Sequence, residues 1–309
     1  MNRLTPSRRH LLAGAASLLL SGVITEAKAA DRPIRVLIID GVGNHDWKMT
    51  TRLLRAVLEP TDLFAVTVST SPASADAPGW DVWRPDFKAC DVVLQTYNDL
   101  GGGPDWPDAV KRDFETYVRT GGGVFYLHSA NNAFEKWPEY NEMIGLAWRK
   151  KDFGPAIYID KAEHQASVPA NVGEDTGHGP RFDALVTRIG DHPVHKGLPR
   201  QWMTADVELY RYARGPGKNL TVLSYAMDPK TQMNWPMEWQ VNYGKGRGYI
   251  ANYGHVWPGD IQPPTMRSAD VQVILIRALQ WLSGRAVTYP IPADFPTKTA
   301  TSIRPELAI

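Results

Sequence analysis

Gly121-Gly122-Gly123-Val124-Phe125-Tyr126-Leu127-His128-Ser129-Ala130-Asn131-Asn132 is the stretch on which the fold turns. A glycine turn feeds a short apolar run, and the run stops at a polar histidine. In an α/β protein this pattern carries one side chain to the C-terminal edge of a parallel sheet, where ligand crevices open.

Toward the N-terminus the same grammar recurs. Ile34-Arg35-Val36-Leu37-Ile38-Ile39-Asp40 is a nearly continuous aliphatic run of strand length, as expected for a central parallel strand covered on both faces. After Gly41-Val42-Gly43-Asn44-His45-Asp46-Trp47, a helical pattern from Lys48 to Leu58 places Leu53, Leu54, Val57 and Leu58 on one side. Gly41-x-Gly43 lacks the third glycine of a dinucleotide turn, and the residues after it are too bulky for a pyrophosphate, so no nucleotide cofactor is expected. Strands are predicted at residues 64–69 and 91–97, and a helix from Pro107 to Thr120 with Val110, Phe114, Tyr117 and Val118 on one face. This alternation predicts a flavodoxin-like, doubly wound, mostly parallel α/β sheet.

Beyond Gly145 the pattern loosens into an elaboration of the same domain, with strand candidates at 157–159, 184–189 and 220–225. Gly244-Lys245-Gly246-Arg247 is a turn leading into a strand over 248–253 that ends at Gly254-His255, and Ala269 to Leu282 is a final helix. The predicted organisation is therefore an export signal over 1–30, one α/β domain over 31–285 and an extended tail over 286–309. In the signal, Ser7-Arg8-Arg9-His10-Leu11-Leu12 precedes an apolar stretch and Ala27-Lys28-Ala29, which matches a twin-arginine signal and a periplasmic destination. An ordinary secretory signal with two coincidental arginines is the alternative. Gly14 and Gly22 interrupt the apolar stretch, so no membrane association is expected once the signal is removed.

A net charge of +1 offers no reason to invoke nucleic acid or an acidic membrane surface. The single cysteine, Cys90, forbids an intramolecular disulfide and a cysteine-rich zinc cluster, and its place before Val92-Val93-Leu94 reads as an inert buried thiol. Eleven Trp and twelve Tyr would suit stacking on sugar rings, or would serve as core. Composition leaves homo-oligomerisation open.

Three of the eight histidines, His45, His128 and His255, fall at or just past the ends of predicted central strands. Side chains there converge on one crevice. As neutral imidazoles they could bind a zinc-like divalent metal with a carboxylate, or one could shuttle protons in hydrolysis or elimination. Glu208 and Glu238 are the carboxylates of interest, because both sit in aromatic, otherwise apolar sequence where a lone charge is costly. Salt bridges to Arg211 or Arg247 would be their structural explanation. His164, His178, His192 and His195 fall in hydrophilic or proline-containing loops and read as solvated, and Pro193 spoils a His192/His195 chelate.

Gly121 to Ser129, His192-Pro193-Val194-x-x-Gly197-Leu198-Pro199, Glu208-Leu209-Tyr210, and Tyr243-Gly244-x-Gly246-Arg247 leading to Gly254-His255 together resemble the trehalose-utilisation, ThuA-like family, over roughly Ile34 to Leu282. The resemblance implies the fold of class I glutamine amidotransferases. Where those enzymes present a cysteine nucleophile, this chain presents His128 followed by Ser129, so a cysteine triad is not available. It further implies a carbohydrate substrate, trehalose-related or a 3-keto glycoside, whose C2 proton a histidine base could remove to drive elimination. On that reading His128, His255 and Glu208 are catalytic and His45, His128 and His255 are the metal ligands. Asn44, Asp46, Trp47, Ser129, Asn131, Glu238 and Trp257 are then expected to contact substrate. Trp137, Trp148, Trp235 and Trp239 would be free to shape the pocket. A non-catalytic sugar-binding protein and an ester or amide hydrolase using Ser129 are the alternatives.

Overall fold

The computed structural model describes residues 32–101 and 103–309. The signal read in residues 1–30 lies outside them. Five strands form the parallel half of the sheet: β1 (Ile34–Asp40), β2 (Phe64–Thr70), β3 (Val92–Gln95), β4 (Gly123–Leu127) and, far along the chain, β11 (Gly246–Ala251). Their order is β2-β1-β3-β4-β11, each paired in parallel with its neighbour. This is the flavodoxin-like order, with the last strand in the fifth place.

Alternate residues of each strand face opposite sides, and both sides are covered. Val36, Ile38, Leu94 and Phe125 join one apolar cluster with α1 (Trp47–Leu58), through Leu53, Leu54, Val57 and Leu58. Leu37, Ile39, Val93, Val124 and Tyr126 join a second with α2 (Asp108–Arg119), through Val110, Phe114 and Val118. The short α3 (Pro138–Ile144) lies on this second side and α5 (Ala269–Leu282) on the first. Between them, α4 (Pro264–Arg267) leads directly into α5.

Between β4 and β11 the chain inserts the elaboration: β5 (Ala156–Ile159), β6 (Gln165–Val168), β7 (Phe182–Arg188), β8 (Gln201–Val207), β9 (Leu220–Met227) and β10 (Asn234–Tyr243). These strands continue the same sheet from β11 as β10-β9-β7-β8, all antiparallel, with β5 attached to β10 and β6 to β5. The sheet is therefore mixed, with a parallel core and an antiparallel extension. The strongest strand missing from the sequence reading is β10. Pro236 and Glu238 break its apolar run, and both sit where its pairing with β9 shifts register, at a bulge that tolerates proline.

Pro33–Ile309 forms one compact unit. Its last segment returns over the start of α5, where Ser302 accepts from Ala269 N at 2.9 Å and Arg304 N donates to Arg267 O at 2.9 Å. No helix among the described residues is long and apolar enough to cross a membrane.

The glycine turn has a definite mechanical role. Gly121 closes α2 with φ of 128°, a conformation open to glycine at no steric cost. Gly123 begins β4 so close to the end of α5 that a Cβ there would lie 2.3 Å from Leu282 O. At Gly121 an added Cβ would meet nothing within 4 Å. Gly123→Ala is therefore expected to cost about 3 kcal/mol and Gly121→Ala about 1 kcal/mol, the second through backbone conformation alone. Denaturant melts of the two variants check the order, and equal losses would contradict it.

Candidate active site

Four side chains meet at the C-terminal edge of the parallel strands. His45 follows β1 in the loop that enters α1, and Asp46 caps that helix by accepting from Met49 N at 2.9 Å. His128 is the first residue past β4, in a left-handed conformation with φ of 46°. A non-glycine residue held there marks a strained elbow. Buried Arg149 secures the bend, donating to Asn132 O at 2.7 Å and Ala133 O at 2.6 Å. His255 follows β11 through Gly254, whose φ is 87°. Glu208 arrives from the other half of the sheet, just past β8.

The three imidazoles form a nearly equilateral triangle, with ring centroids 5.0 Å apart for His45 and His128, 4.9 Å for His45 and His255, and 5.1 Å for His128 and His255. One ligand atom from each imidazole and from Glu208 lies within 4.8 Å of all the others, so the cluster could hold a metal ion. Glu208 sits 3.3 Å from His128 Nε2 through Oε2. Its Oε1 is 3.5 Å from His255 Nε2 and 3.2 Å from Nε2 of a fourth imidazole, His178.

Partners on the far side of each ring fix its tautomer. His128 Nδ1 faces the Asn252 carbonyl at 3.1 Å, and a carbonyl can only accept, so Nδ1 carries a proton and Nε2 faces the cluster. His45 Nδ1 lies 2.8 Å from Asn44 Oδ1, which also accepts from Asn98 Nδ2 at 3.1 Å. With its proton so placed, His45 presents a buried Nε2 lone pair that has no hydrogen-bond partner among the described residues. His255 differs. Its Nδ1 receives Arg181 Nη1 at 3.2 Å, and since arginine only donates, the proton of the neutral ring is on Nε2. Arg181 is held in place by Asp206 at 3.3 Å and Asp260 at 3.2 Å.

Burial, then the charges of His128 and His255, push His45 down to about 2. Burial, then the charge of His128, lowers His255 to about 4. Burial opposes ionisation of Glu208, but the hydrogen bond to His128 and the charges of His128, His255 and His178 prevail and hold it at about 2. At His45 and His255 the site thus offers neutral imidazoles beside an ionised carboxylate at neutral pH. Neutral nitrogen donors, an oxygen anion, and second partners on Nδ1 of His45 and His128 are the donor set that suits a zinc-like ion.

Of the expected contacts, Trp47 and Ser129 line a cavity of about 10 Å³ beside His45 and His128, roughly the room of one water. Trp257 is half-exposed, with its ring stacked on His255 at 5.9 Å and edge-on to His45 at 5.3 Å. Asn44 orients His45, Asp46 is occupied as a helix cap, and Asn131 Nδ2 reaches Asn252 Oδ1 at 3.5 Å. Trp137, Trp235 and Trp239 belong to the core, whereas Trp148 packs on His178 and Tyr210 at 5.5 and 5.2 Å.

Several readings need correction. His178 reaches Glu208 from a loop that looked merely hydrophilic, and Tyr210 OH sits 3.4 Å from His128 Nε2. Tyr210 had a signal, two residues after Glu208, whereas His178 had none. Glu238 lies outside the cluster: it is fully buried and paired with His195 Nε2 at 2.8 Å, Ser224 Oγ at 2.7 Å and the hydroxyls of Tyr249 and Tyr253. His195 is correspondingly buried, and His192 is bound at 3.2 Å to Gln240 Oε1, so neither is solvated. The expected arginine partners are engaged elsewhere, Arg211 with His178 O at 2.7 Å and Arg247 over Trp281 at 4.3 Å.

The sequence matches the family model described as ThuA, trehalose utilisation, over residues 35–282. No curated protein matches it. A ThuA-like protein from Parabacteroides merdae, 33% identical, is similar over 88% of this chain and 98% of that one, with a TM-score of 0.81. A cytoplasmic protein from Salmonella typhimurium is 14% identical over 80% of this chain and 98% of that one, with a TM-score of 0.44. A glutamine amidotransferase from Thermotoga maritima is 12% identical over 71% and 74%, with a TM-score of 0.36.

The buried Glu238 yields a stability prediction. Burial opposes its ionisation, but His195, by charge and by hydrogen bond, and the two tyrosines hold it at about 2. A carboxylate so lowered stabilises the fold above its unfolded pKa of about 4.3, and that contribution is lost as pH falls toward 2. Glu238→Gln is expected to cost about 3 kcal/mol at pH 7 and to flatten the fall in stability between pH 5 and 2. Denaturant midpoints across that range check it, and an unchanged slope would contradict it.

Proposed function

Because the chain belongs to the ThuA, trehalose-utilisation family, we propose that it is an exported, periplasmic enzyme that cleaves trehalose-related 3-keto glycosides by elimination. The observation that carries this reading is the convergence of three strand-end imidazoles on the ionised carboxylate of Glu208. A binding protein needs rings and amides, and has no need of titratable groups held in fixed tautomers. The Arg8-Arg9 sequence supports the periplasmic destination.

In this reaction the 3-keto group acidifies the hydrogen on C2. His128 Nε2 takes that proton, with the Asn252 carbonyl holding the ring and Glu208 Oε2 stabilising the imidazolium. The electron pair released forms the C1–C2 double bond as the C1–O bond breaks. The departing oxygen takes the proton from His255 Nε2, the nitrogen that Arg181 keeps protonated. Trp257 offers the half-exposed ring on which the sugar stacks.

A second reading is favoured by the unpartnered Nε2 of His45. His45, His128 and Glu208 would hold a divalent ion, and His255 lies in reach of it, although Arg181 on its Nδ1 suits it better to donating a proton. Such an ion supplies a Lewis acid for the ketone oxygen.

His128→Ala is expected to lower kcat on a 3-keto disaccharide at least about 1,000-fold, and full turnover by that variant would sink the proposal. His45→Ala separates the two readings: turnover within a few-fold of wild type indicates acid–base chemistry alone, while its loss together with a zinc-binding isotherm indicates the ion.

A further inference from the structure

The loop from Trp257 to Gln262 carries two groups that serve the cluster, yet most of it is exposed. Trp257, Pro258, Gly259 and Ile261 all face solvent, and Gly259 turns with φ of 99°. Asp260 closes the loop on itself: its Oδ2 accepts from Trp257 N at 2.9 Å, and its own N–H donates to Trp257 O at 2.9 Å. The same Oδ2 lies 3.2 Å from Arg181 Nη1, the atom that faces His255 Nδ1 at 3.2 Å. Trp257 sets its ring on His255 and edge-on to His45. Where this loop sits therefore decides both the stacking ring and the outer partner of His255.

Among the described residues, hydrogen bonds tie the loop to the rest of the chain at two places. One is Arg181. The other is Gln262, whose side chain grips the backbone of a residue far along the chain: Nε2 donates to Leu307 O at 2.8 Å, and Oε1 accepts from Leu307 N at 3.1 Å. A primary amide that closes both bonds on one residue fixes direction as well as distance. The segment holding Leu307 is itself pinned to α4 and α5. Arg304 N donates to Arg267 O at 2.9 Å, Arg267 Nε returns a bond to Arg304 O at 2.8 Å, and Arg304 Nη1 donates to Gln272 Oε1 at 2.8 Å. Leu307 also packs on the apolar cluster to which α5 belongs. An exposed loop with few packing contacts opens at small free-energy cost, so such a tether governs how long it stays in place.

Resting on the proposed role of His255 as proton donor, we infer that Gln262 is a positioning residue of the active site. Through its grip on Leu307 it holds the Trp257–Asp260 loop beside the cluster, so that Asp260 keeps Arg181 on His255. The segment around Leu307 thereby acts on the chemistry through Asp260 and Arg181, not by contact with the reacting sugar.

Amide hydrogen exchange and turnover of Gln262→Ala test this. The Trp257 and Asp260 amides, both bonded within the loop, are expected to exchange at least about 10-fold faster, with the denaturant midpoint unchanged. On a 3-keto disaccharide, kcat is expected to fall about 10-fold. In an Asp260→Ala background the same substitution is expected to lower kcat by less than about 2-fold, because the link it acts through is already gone. Unchanged exchange, unchanged kcat beside accelerated exchange, or fully additive losses in the double variant would overturn the positioning role. A wild type that cleaves no 3-keto disaccharide, with exchange still accelerated by Gln262→Ala, would instead overturn the proposed reaction and leave Gln262 standing as the anchor of the loop.

Discussion

An ionised carboxylate buried among aromatic side chains is the constraint around which the site is built. Glu208 keeps its charge only because imidazoles from separate loops face its two oxygens. Take those away and the desolvation cost of the anion would neutralise it. The dependence runs both ways, because the carboxylate gives the imidazolium of His128 a place to form. Backbone and side-chain partners beyond the cluster then decide how each ring is presented: a lone pair from His45, Nε2 toward Glu208 from His128, a proton from His255.

The scaffold that makes this possible is the parallel half of the sheet. β1, β4 and β11 end on the same edge, and each delivers a histidine there within a few residues. The antiparallel extension contributes what the parallel half lacks, since Glu208 and His178 both come from it. Its own cohesion rests on a second buried carboxylate, Glu238, which joins β9, β10, β11 and the loop carrying His195. One sheet thus contains two buried ionic centres, one beside a small cavity at His45 and His128 and one fully buried.

The parallel half was legible because its strands are uniform apolar runs punctuated by glycine, and that punctuation also located His45, His128 and His255. Glu208 was legible from the incongruity of a carboxylate in an apolar setting. The extension was harder to read, since β8 and β10 mix polar residues and a proline into their runs, and what buries them is pairing with distant strands. The same limit hid His178 and misassigned Glu238 and His195. Local sequence encodes which apolar residues are buried, whereas the partner of a buried polar group is chosen by topology. Hydrophilic surroundings in sequence made the buried His195 look solvated, and an aromatic context made the sealed Glu238 look like a site residue.

Cleavage of a 3-keto disaccharide in deuterated water tests the central claim most directly, with the hydrogen at C2 followed by NMR. If His128 removes the C2 proton, the oxidised ring is released with a C1–C2 double bond and without its C2 hydrogen, any later addition of solvent placing deuterium there, and its rate of appearance falls with His128→Ala. A cleaved product that retains its original C2 hydrogen would contradict elimination at this cluster.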